Sequence, residues 1–179
     1  MELLRREAAR LALVKHICVP AFFGLVEILD AKGKWHGMLA QELIIGRTYR
    51  ELLREEGRLS QKEALGVLSG MLEILGYLHN MRDQSGAVTP VLHLDIKPDN
   101  IMKRSSDGRL YLIDFGLAVQ VRDNQSMGRV SSLSLGGSGT PGYIAPEQGK
   151  GNPGPGSDIY SLGITFLELW SGRSATELE

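Results

Sequence analysis

The chain has 179 residues, of which 42% are hydrophobic and 23% are charged, enough for one globular domain with a buried core. A formal net charge of -1 gives no electrostatic reason to expect nucleic acid or an anionic membrane surface as a partner. The single cysteine, Cys18, excludes an internal disulfide, and no apolar run is long enough to span a bilayer. We therefore expect a cytoplasmic domain, with the nucleus as the alternative.

The first 15 residues predict an amphipathic helix. The apolar residues that recur there at helical spacing are Leu4, Ala8 and Leu11. Glu7 lies on the same stripe, where an unpaired carboxylate would be costly. A surface pair with Arg10, three residues later, would resolve this conflict locally.

Two strands and a turn follow this helix. Residues 25–28 and 36–43 flank a polar turn at residues 30–33, which predicts an antiparallel pair. Because the strands are consecutive, they are expected to be neighbours in one sheet.

The next stretch is helical. Residues 48–56 predict a short exposed helix, and a capping box at Ser60 and Glu63 begins a longer one that runs to about His79. The apolar stripe of the longer helix comprises Ala64, Leu68, Met71, Leu72, Leu75 and Leu78. We interpret His36 and His79 as surface residues with no special task.

A second hairpin follows the short strand formed by Val91 and Leu92. Two apolar runs flank the polar turn at residues 104–108, and a symmetry point near Asp107 would place Asn100 and Asp114 side by side at the open end. Asp95 enters the same mouth from the preceding loop. An amide oxygen beside carboxylates suits a hard cation such as Mg²⁺.

The last third of the chain contains a segment rich in Ser and Gly and then a predicted helix. Residues 126–138 are rich in Ser and Gly, which is typical of a mobile segment. Ser157 is predicted to cap a final helix over residues 158–170. Its apolar residues cover nearly every face, so we expect burial on all sides. They are Ile159, Leu162, Ile164, Phe166, Leu167, Leu169 and Trp170.

Three motifs, in this order and at this spacing, resemble the signature set of protein kinases. They are His93-Leu94-Asp95-Ile96-Lys97-Pro98-Asp99-Asn100, Asp114-Phe115-Gly116 and Ala145-Pro146-Glu147. The resemblance implies an α+β fold, truncated at both ends, with one partial kinase domain over residues 1–179. Residues 1–41 would be the remnant of the N-lobe, 42–48 the hinge and 49–179 a partial C-lobe, with the activation segment over 114–147.

The same resemblance implies roles for the residues at the open end of the second hairpin. Asp95 would accept or orient the proton of a substrate hydroxyl, and Lys97 would lie against the transferring phosphate. Asn100 and Asp114 would hold Mg²⁺. Glu7 would be the helix glutamate that pairs with a strand lysine, a reading favoured over the local pair with Arg10.

Other residues would serve the nucleotide. The backbones of Glu42 and Ile44 would recognise adenine, Met102 would pack against it, and Gln41 would be the gatekeeper.

Further residues would support the loop and the protein substrate. Thr140 and Glu147 would build a platform for the polypeptide, while His93 would pack beneath Phe115. Asp158 would hold the backbone of the loop. Its alternative role is that of a carboxylate favoured at a helix start by the dipole.

The implied function is ATP-dependent phosphoryl transfer to Ser or Thr hydroxyls of proteins, with ATP and Mg²⁺. Lys97 and Thr140 favour serine/threonine over tyrosine kinases, and Asp99 and the acids near Glu51 favour basic substrates. The glycine-rich loop and the strand lysine are not among the 179 residues, so a pseudokinase-like binding or scaffold module is the alternative, and we expect the isolated chain to have little activity. A small-molecule phosphotransferase is disfavoured by Thr140 and by the Ala-Pro-Glu motif.

One position departs from the family pattern. Leu94 stands where the family usually has an arginine that receives an activation-segment phosphate. We therefore expect phosphorylation of Ser131, Ser132 or Ser134 to be dispensable for activity.

Overall fold

A computed structural model describes residues 2–121 and 139–178, which form the α+β fold that the sequence predicts. The helices are α1 (Glu2–Leu11), α2 (Tyr49–Glu56), α3 (Gln61–His79), α4 (Pro146–Gly149) and α5 (Pro155–Ser171). The strands are β1 (Phe22–Leu29), β2 (Trp35–Gln41), β3 (Gly46–Thr48), β4 (Val91–Leu92), β5 (Ile101–Arg104), β6 (Leu110–Leu112) and β7 (Val119–Gln120). The segment predicted to be mobile, residues 126–138, lies outside the described residues.

The first hairpin forms as predicted. β1 and β2 are antiparallel, with Leu29 opposite Trp35. Asp30 closes the turn because its Oδ1 accepts the backbone N–H groups of Lys32 and Lys34, at 2.8 and 2.9 Å. α1 packs on this hairpin and is shorter than expected, ending at Leu11.

Capping boxes begin both α2 and α3. Thr48 and Glu51 form one, and Ser60 and Glu63 form the predicted other. α2 is not an exposed helix throughout, because it buries Tyr49, Leu52 and Leu53. α3 buries Ala64, Val67, Met71, Ile74, Leu75 and Leu78. Leu72, expected on that stripe, is 44% exposed.

The second hairpin joins β3 in a three-stranded antiparallel sheet with the order β3-β5-β6. Its register differs by one residue from the prediction: Ile113 N–H donates to the Asn100 carbonyl at 2.9 Å, so Asn100 faces Ile113 and not Asp114. The reason is the turn, which closes between Arg104 and Arg109 and therefore centres between residues 106 and 107.

α5 corrects two expectations. It begins at Pro155, and Ser157 lies inside its first turn, where the hydroxyl accepts the Gly154 N–H at 3.2 Å. The helix is not buried on all sides within the described residues, since Ile159 is 44% and Trp170 45% exposed. Its buried face is largely polar and includes Ser157, Asp158, Ser161, Thr165 and Glu168.

These buried polar groups of α5 are paired. The Ser161 hydroxyl, for example, donates to the Tyr143 carbonyl at 2.7 Å. The polar face therefore binds the backbone of other segments, which a purely apolar face could not do. Among the described residues, no helix combines the length and hydrophobicity that a membrane crossing requires.

Candidate active site

The loop that carries Asp95 is fixed by one buried carboxylate. Asp158, fully buried at the start of α5, accepts the backbone N–H of Leu94 on Oδ1 at 2.8 Å and that of His93 on Oδ2 at 3.0 Å. His79 Nε2 also lies 2.8 Å from Asp158 Oδ2. The interpretation of His79 as a surface residue without a task is therefore wrong: its side chain is 11% exposed and joins α3 to this carboxylate.

His93 links the loop to the segment that follows β6. Its ring meets Phe115 edge to face, with centroids 4.8 Å apart, and its Nε2 lies 3.1 Å from the Ile113 carbonyl oxygen. Burial lowers the pKa of His93, against the opposing effect of Asp158. The ring is therefore neutral, with Nε2–H as the donor to Ile113. It packs against Phe115 and does not face a substrate.

Asp95 is held by three side chains. Its Oδ2 accepts from Lys97 Nζ at 2.7 Å and from Asn100 Nδ2 at 3.0 Å, and its Oδ1 accepts from the Thr140 hydroxyl at 2.8 Å. Lys97 Nζ also donates to Thr140 Oγ1 at 2.6 Å. Burial raises the pKa of Asp95, but the bonds from Lys97 and Thr140 outweigh burial and lower it. Asp95 is thus an ionised, oriented carboxylate.

The two predicted metal ligands flank the open end of the hairpin. Asn100 Nδ2 donates to the backbone and the carboxylate of Asp95, so the amide oxygen is the atom left to ligate a cation. Asp114 is exposed and has a positive φ of 62°. Among the residues that the structure describes, no hydrogen bond joins Asp114 to Asp95 or Asn100. A single ion shared by all three remains a prediction.

The donor set nevertheless fits Mg²⁺. Within residues 2–121 and 139–178, no three His, Cys, Asp or Glu side chains cluster as a metal site. A cation here would use few protein ligands, the Asn100 oxygen and the Asp114 carboxylate, and would complete its shell with phosphate and water oxygens. Mg²⁺ typically binds in this way.

Glu7 reaches the same region from α1. Burial and the charge of Asp114 raise the pKa of Glu7, and Arg10 opposes them. A Cβ added to Gly116 would lie 3.9 Å from Glu7 Oε2 and 3.1 Å from Asp114 Oδ1, which places both carboxylates beside Gly116. The pairing of Glu7 with a strand lysine remains a prediction.

The predicted hinge residues lie next to β5. Glu42 is tied to the segment before β1, with its N–H on the Ala21 carbonyl at 2.8 Å. Ile44 is buried, and β3, which begins two residues later, pairs Thr48 with Met102. The hinge and Met102 therefore border one region, and their contact with adenine remains a prediction.

The segment after Thr140 is fixed on α5 and on the loop. Glu147 Oε1 accepts from the Ser157 hydroxyl at 2.6 Å. Gln148 Nε2 donates to the Leu94 carbonyl at 2.9 Å. Thr140 and Glu147 thus belong to a segment that contacts the Asp95 loop directly.

Arg50 is a residue of the site that the sequence analysis did not identify. This residue of α2 donates to Asp99, Tyr143 and Glu168, and so joins four segments around the site. A basic residue in the first turn of a helix is unfavourable for the dipole, and that misfit was the one available signal.

Comparison with known proteins agrees with this geometry. The family model described as "Protein kinase domain" matches residues 2–178. Similar proteins include serine/threonine-protein kinase PknA of Nostoc (38% identity over 149 residues, 79% of this chain and 24% of the relative) and serine/threonine-protein kinase F of Synechocystis (33% over 188 residues, 99% and 35%). Another is sperm motility kinase 2A of Mus musculus (30% over 172 residues, 95% and 30%).

The chain spans about a quarter to a third of the length of these relatives. The match to the family model, by contrast, extends over nearly the whole chain. The chain therefore belongs to the protein kinase domain family.

Proposed function

We propose that this chain carries the catalytic residues for transfer of the terminal phosphoryl group of ATP to serine or threonine hydroxyls of protein substrates, with Mg²⁺. The observation that carries the proposal is the Asp95 carboxylate, whose pKa is lowered by the bonds from Lys97 and Thr140 and which also accepts a hydrogen bond from Asn100. A carboxylate fixed in this way can accept the hydrogen bond of a substrate hydroxyl and aim its oxygen at phosphorus. The relatives named as serine/threonine kinases support the same chemistry.

The remaining residues of the site would either stabilise charge on the phosphates or position the substrate. Lys97 would stabilise negative charge on the phosphoryl group, because that charge spreads over the oxygens in the transition state. Asn100 and Asp114 would hold Mg²⁺, which supplies charge neutralisation at the nucleotide phosphates when bound. Thr140 and Glu147 would place the polypeptide.

The residues proposed to bind the nucleotide lie at or near the boundary between the two lobes that the motifs predict. Residues 42–48 would form the hinge between an N-lobe part, 1–41, and a C-lobe part, 49–179. Glu42 and Ile44 would contact adenine through their backbones, with Met102 against the ring. Glu7 of α1, which lies beside Gly116 together with Asp114, would pair with a strand lysine.

The test is phosphoryl transfer from terminally labelled ATP in the presence of Mg²⁺. It uses the 179-residue chain and the longest reading frame that contains it, with a mixture of unmodified proteins as acceptors. We expect the protein from the longest reading frame to produce labelled phosphoserine or phosphothreonine in the acceptor proteins. Its rate should be at least about 10²-fold lower after Asp95→Asn. Asp107→Asn, in the turn of the same hairpin, is the matched control and should retain the rate.

Other results would contradict the proposal. Saturable binding of ATP without transfer above the Asp95→Asn level would establish the scaffold alternative. Label found on small molecules and absent from protein would establish a different acceptor.

A further inference from the structure

Four side chains form a cluster beside Asp95, which we call the Arg50 cluster: Arg50, Asp99, Tyr143 and Glu168. Arg50 Nε donates to Asp99 Oδ2 at 3.0 Å, Nη1 to Glu168 Oε1 at 2.6 Å and Nη2 to the Tyr143 hydroxyl at 2.8 Å. The Tyr143 hydroxyl in turn donates to Glu168 Oε2. One guanidinium thus uses all three of its nitrogens on side chains of other segments.

The cluster is connected along the chain to residues that hold Asp95. Asp99 directly precedes Asn100, and Tyr143 is the third residue after Thr140. Thr140 and Asn100 both contact the Asp95 carboxylate, which an acceptor hydroxyl has to reach. Residues that neighbour the acceptor in a substrate would therefore run close to Asp99.

The positive charge of Arg50 already compensates much of the negative charge of Asp99 and Glu168 in the absence of a substrate. Glu168 is 2% exposed and takes two nitrogens of the Arg50 guanidinium, so its charge is neutralised inside the protein. The Asp99 side chain is 43% exposed and carries the remaining bond from Nε. Two carboxylates placed this way would suit a substrate cation, but a guanidinium of the chain itself already lies between them.

We propose that Arg50 is a specificity-determining residue that fills the space between Asp99 and Glu168, so that the enzyme does not select a basic residue next to the acceptor serine or threonine. The inference rests on the proposed function and revises the substrate preference expected from Asp99. The favoured substrates are those with uncharged residues beside the acceptor.

The first test compares two acceptor peptides that differ at the residues flanking one serine, arginine in one and glutamine in the other. The wild type should use them with kcat/KM values within about threefold of each other. Arg50→Ala should raise the arginine-to-glutamine ratio at least about tenfold, because two carboxylates lose their internal partner. Adding Asp99→Asn to that variant should bring the ratio down again.

The matched control is Arg54→Ala. It removes the same charge from an exposed position of the same helix, so its ratio should equal that of the wild type. If Arg50→Ala does not fold because Glu168 is left buried and unpaired, the double variant R50Q/E168Q removes both charges and leaves Asp99 at the surface. Its ratio should also rise, by a smaller factor.

The second test needs no catalysis. Methylguanidinium chloride, at ionic strength held constant with NaCl, should raise the Tm of Arg50→Ala saturably and leave wild type and Arg54→Ala unchanged, because only the first has a vacant guanidinium site. If no peptide is phosphorylated by any variant, the proposed function fails and the specificity role of Arg50 fails with it. If peptides are phosphorylated, the peptide ratio decides the role of Arg50, and this measurement shows whether Arg50 fills a guanidinium site.

Two results would overturn the proposal. One is a wild type that already prefers the arginine peptide tenfold or more. The other is an Arg50→Ala variant whose peptide ratio matches that of Arg54→Ala.

Discussion

His79 Nε2 lies 2.8 Å from Asp158 Oδ2, so the last residue of α3 contacts the first turn of α5 through a buried carboxylate. The same carboxylate accepts the backbone N–H groups of His93 and Leu94. The loop that carries Asp95 is thereby held by its backbone, independently of the side chains that would contact substrate.

Replacing Asp158 should damage stability and activity together. Asp158→Asn places an amide N–H against backbone donors or loses one of the two bonds, and we expect a loss of about 3–5 kcal/mol in the free energy of unfolding. Urea unfolding followed by circular dichroism measures it. A variant as stable as the wild type would show that the carboxylate charge is not required.

The partner of Asp158 on α3 gives a smaller, separate prediction. His79→Leu removes one bond to a buried charge and should cost about 1.5–3 kcal/mol in the same experiment. His36→Leu is the matched control, because His36 pairs with Asp30 at the surface and should change little. Equal effects of the two substitutions would contradict the role that we assign to His79.

Glu7 should make stability depend on pH in an unusual direction. Its pKa is raised in the folded protein by burial and by Asp114, so the unfolded chain releases the proton first as the pH rises. The stability that the protonated group contributes is therefore lost as the pH rises above the ordinary glutamate range. Glu7→Gln abolishes this loss, so its stability relative to wild type should increase between about pH 4 and about pH 7.

Glu27 provides the opposite case for comparison. Its bond from Arg5 lowers its pKa, so Glu27 contributes stability above the ordinary glutamate range that is lost on acidification. Glu27→Gln should therefore lose stability relative to wild type as the pH rises through the acidic range up to about pH 5, and should change little relative to wild type between about pH 5 and about pH 7. Urea midpoints measured across both pH ranges decide the two predictions, and the same trend for both variants would contradict them.

Thr140 should act through its hydroxyl. Thr140→Val keeps the shape but removes one bond to Asp95 and one to Lys97, so we expect kcat to fall by about 10- to 100-fold, equivalent to about 1.4–2.7 kcal/mol. Thr140→Ser keeps the hydroxyl and should retain most of the rate. Steady-state kinetics of the two variants separate the hydroxyl from the methyl group. Equal losses would show that the methyl packing matters and the bonds do not.

Activity should not require a phosphate in the activation segment. Leu94 is 2% exposed and packs with Leu92 and Val119, so its side chain offers no cation to a phosphate. Alanine at Ser131, Ser132 and Ser134 together, positions outside the described residues, should change the transfer rate by less than about tenfold. The assay is the labelled-ATP transfer described above, and a larger fall would mean that another cation receives the phosphate.

Sequence reasoning succeeded where the signal was local. The capping box at Ser60 and Glu63 and the two hairpins depend on neighbours within a few residues, and all three are present. The one-residue error in the second hairpin arose because the turn chemistry around Gly108, and not the midpoint of the motifs, sets the register.

It failed where a residue acts over a long distance along the chain. Arg50 meets Glu168 at a separation of 118 residues, and His79 meets Asp158 at a separation of 79. No spacing rule connects such pairs. The composition of α5 misled for a related reason: its polar residues are buried because they bind other segments, which leaves Ile159 and Trp170 exposed.

The attachment of residues 93 and 94 to Asp158 has a consequence for solvent exchange. Most loop amides exchange their hydrogens through small local fluctuations, but these two are covered by a carboxylate that stays buried while α3 and α5 remain together. Their protons should exchange as slowly as those of the α3 core, so this stretch of loop behaves as part of the most protected interior.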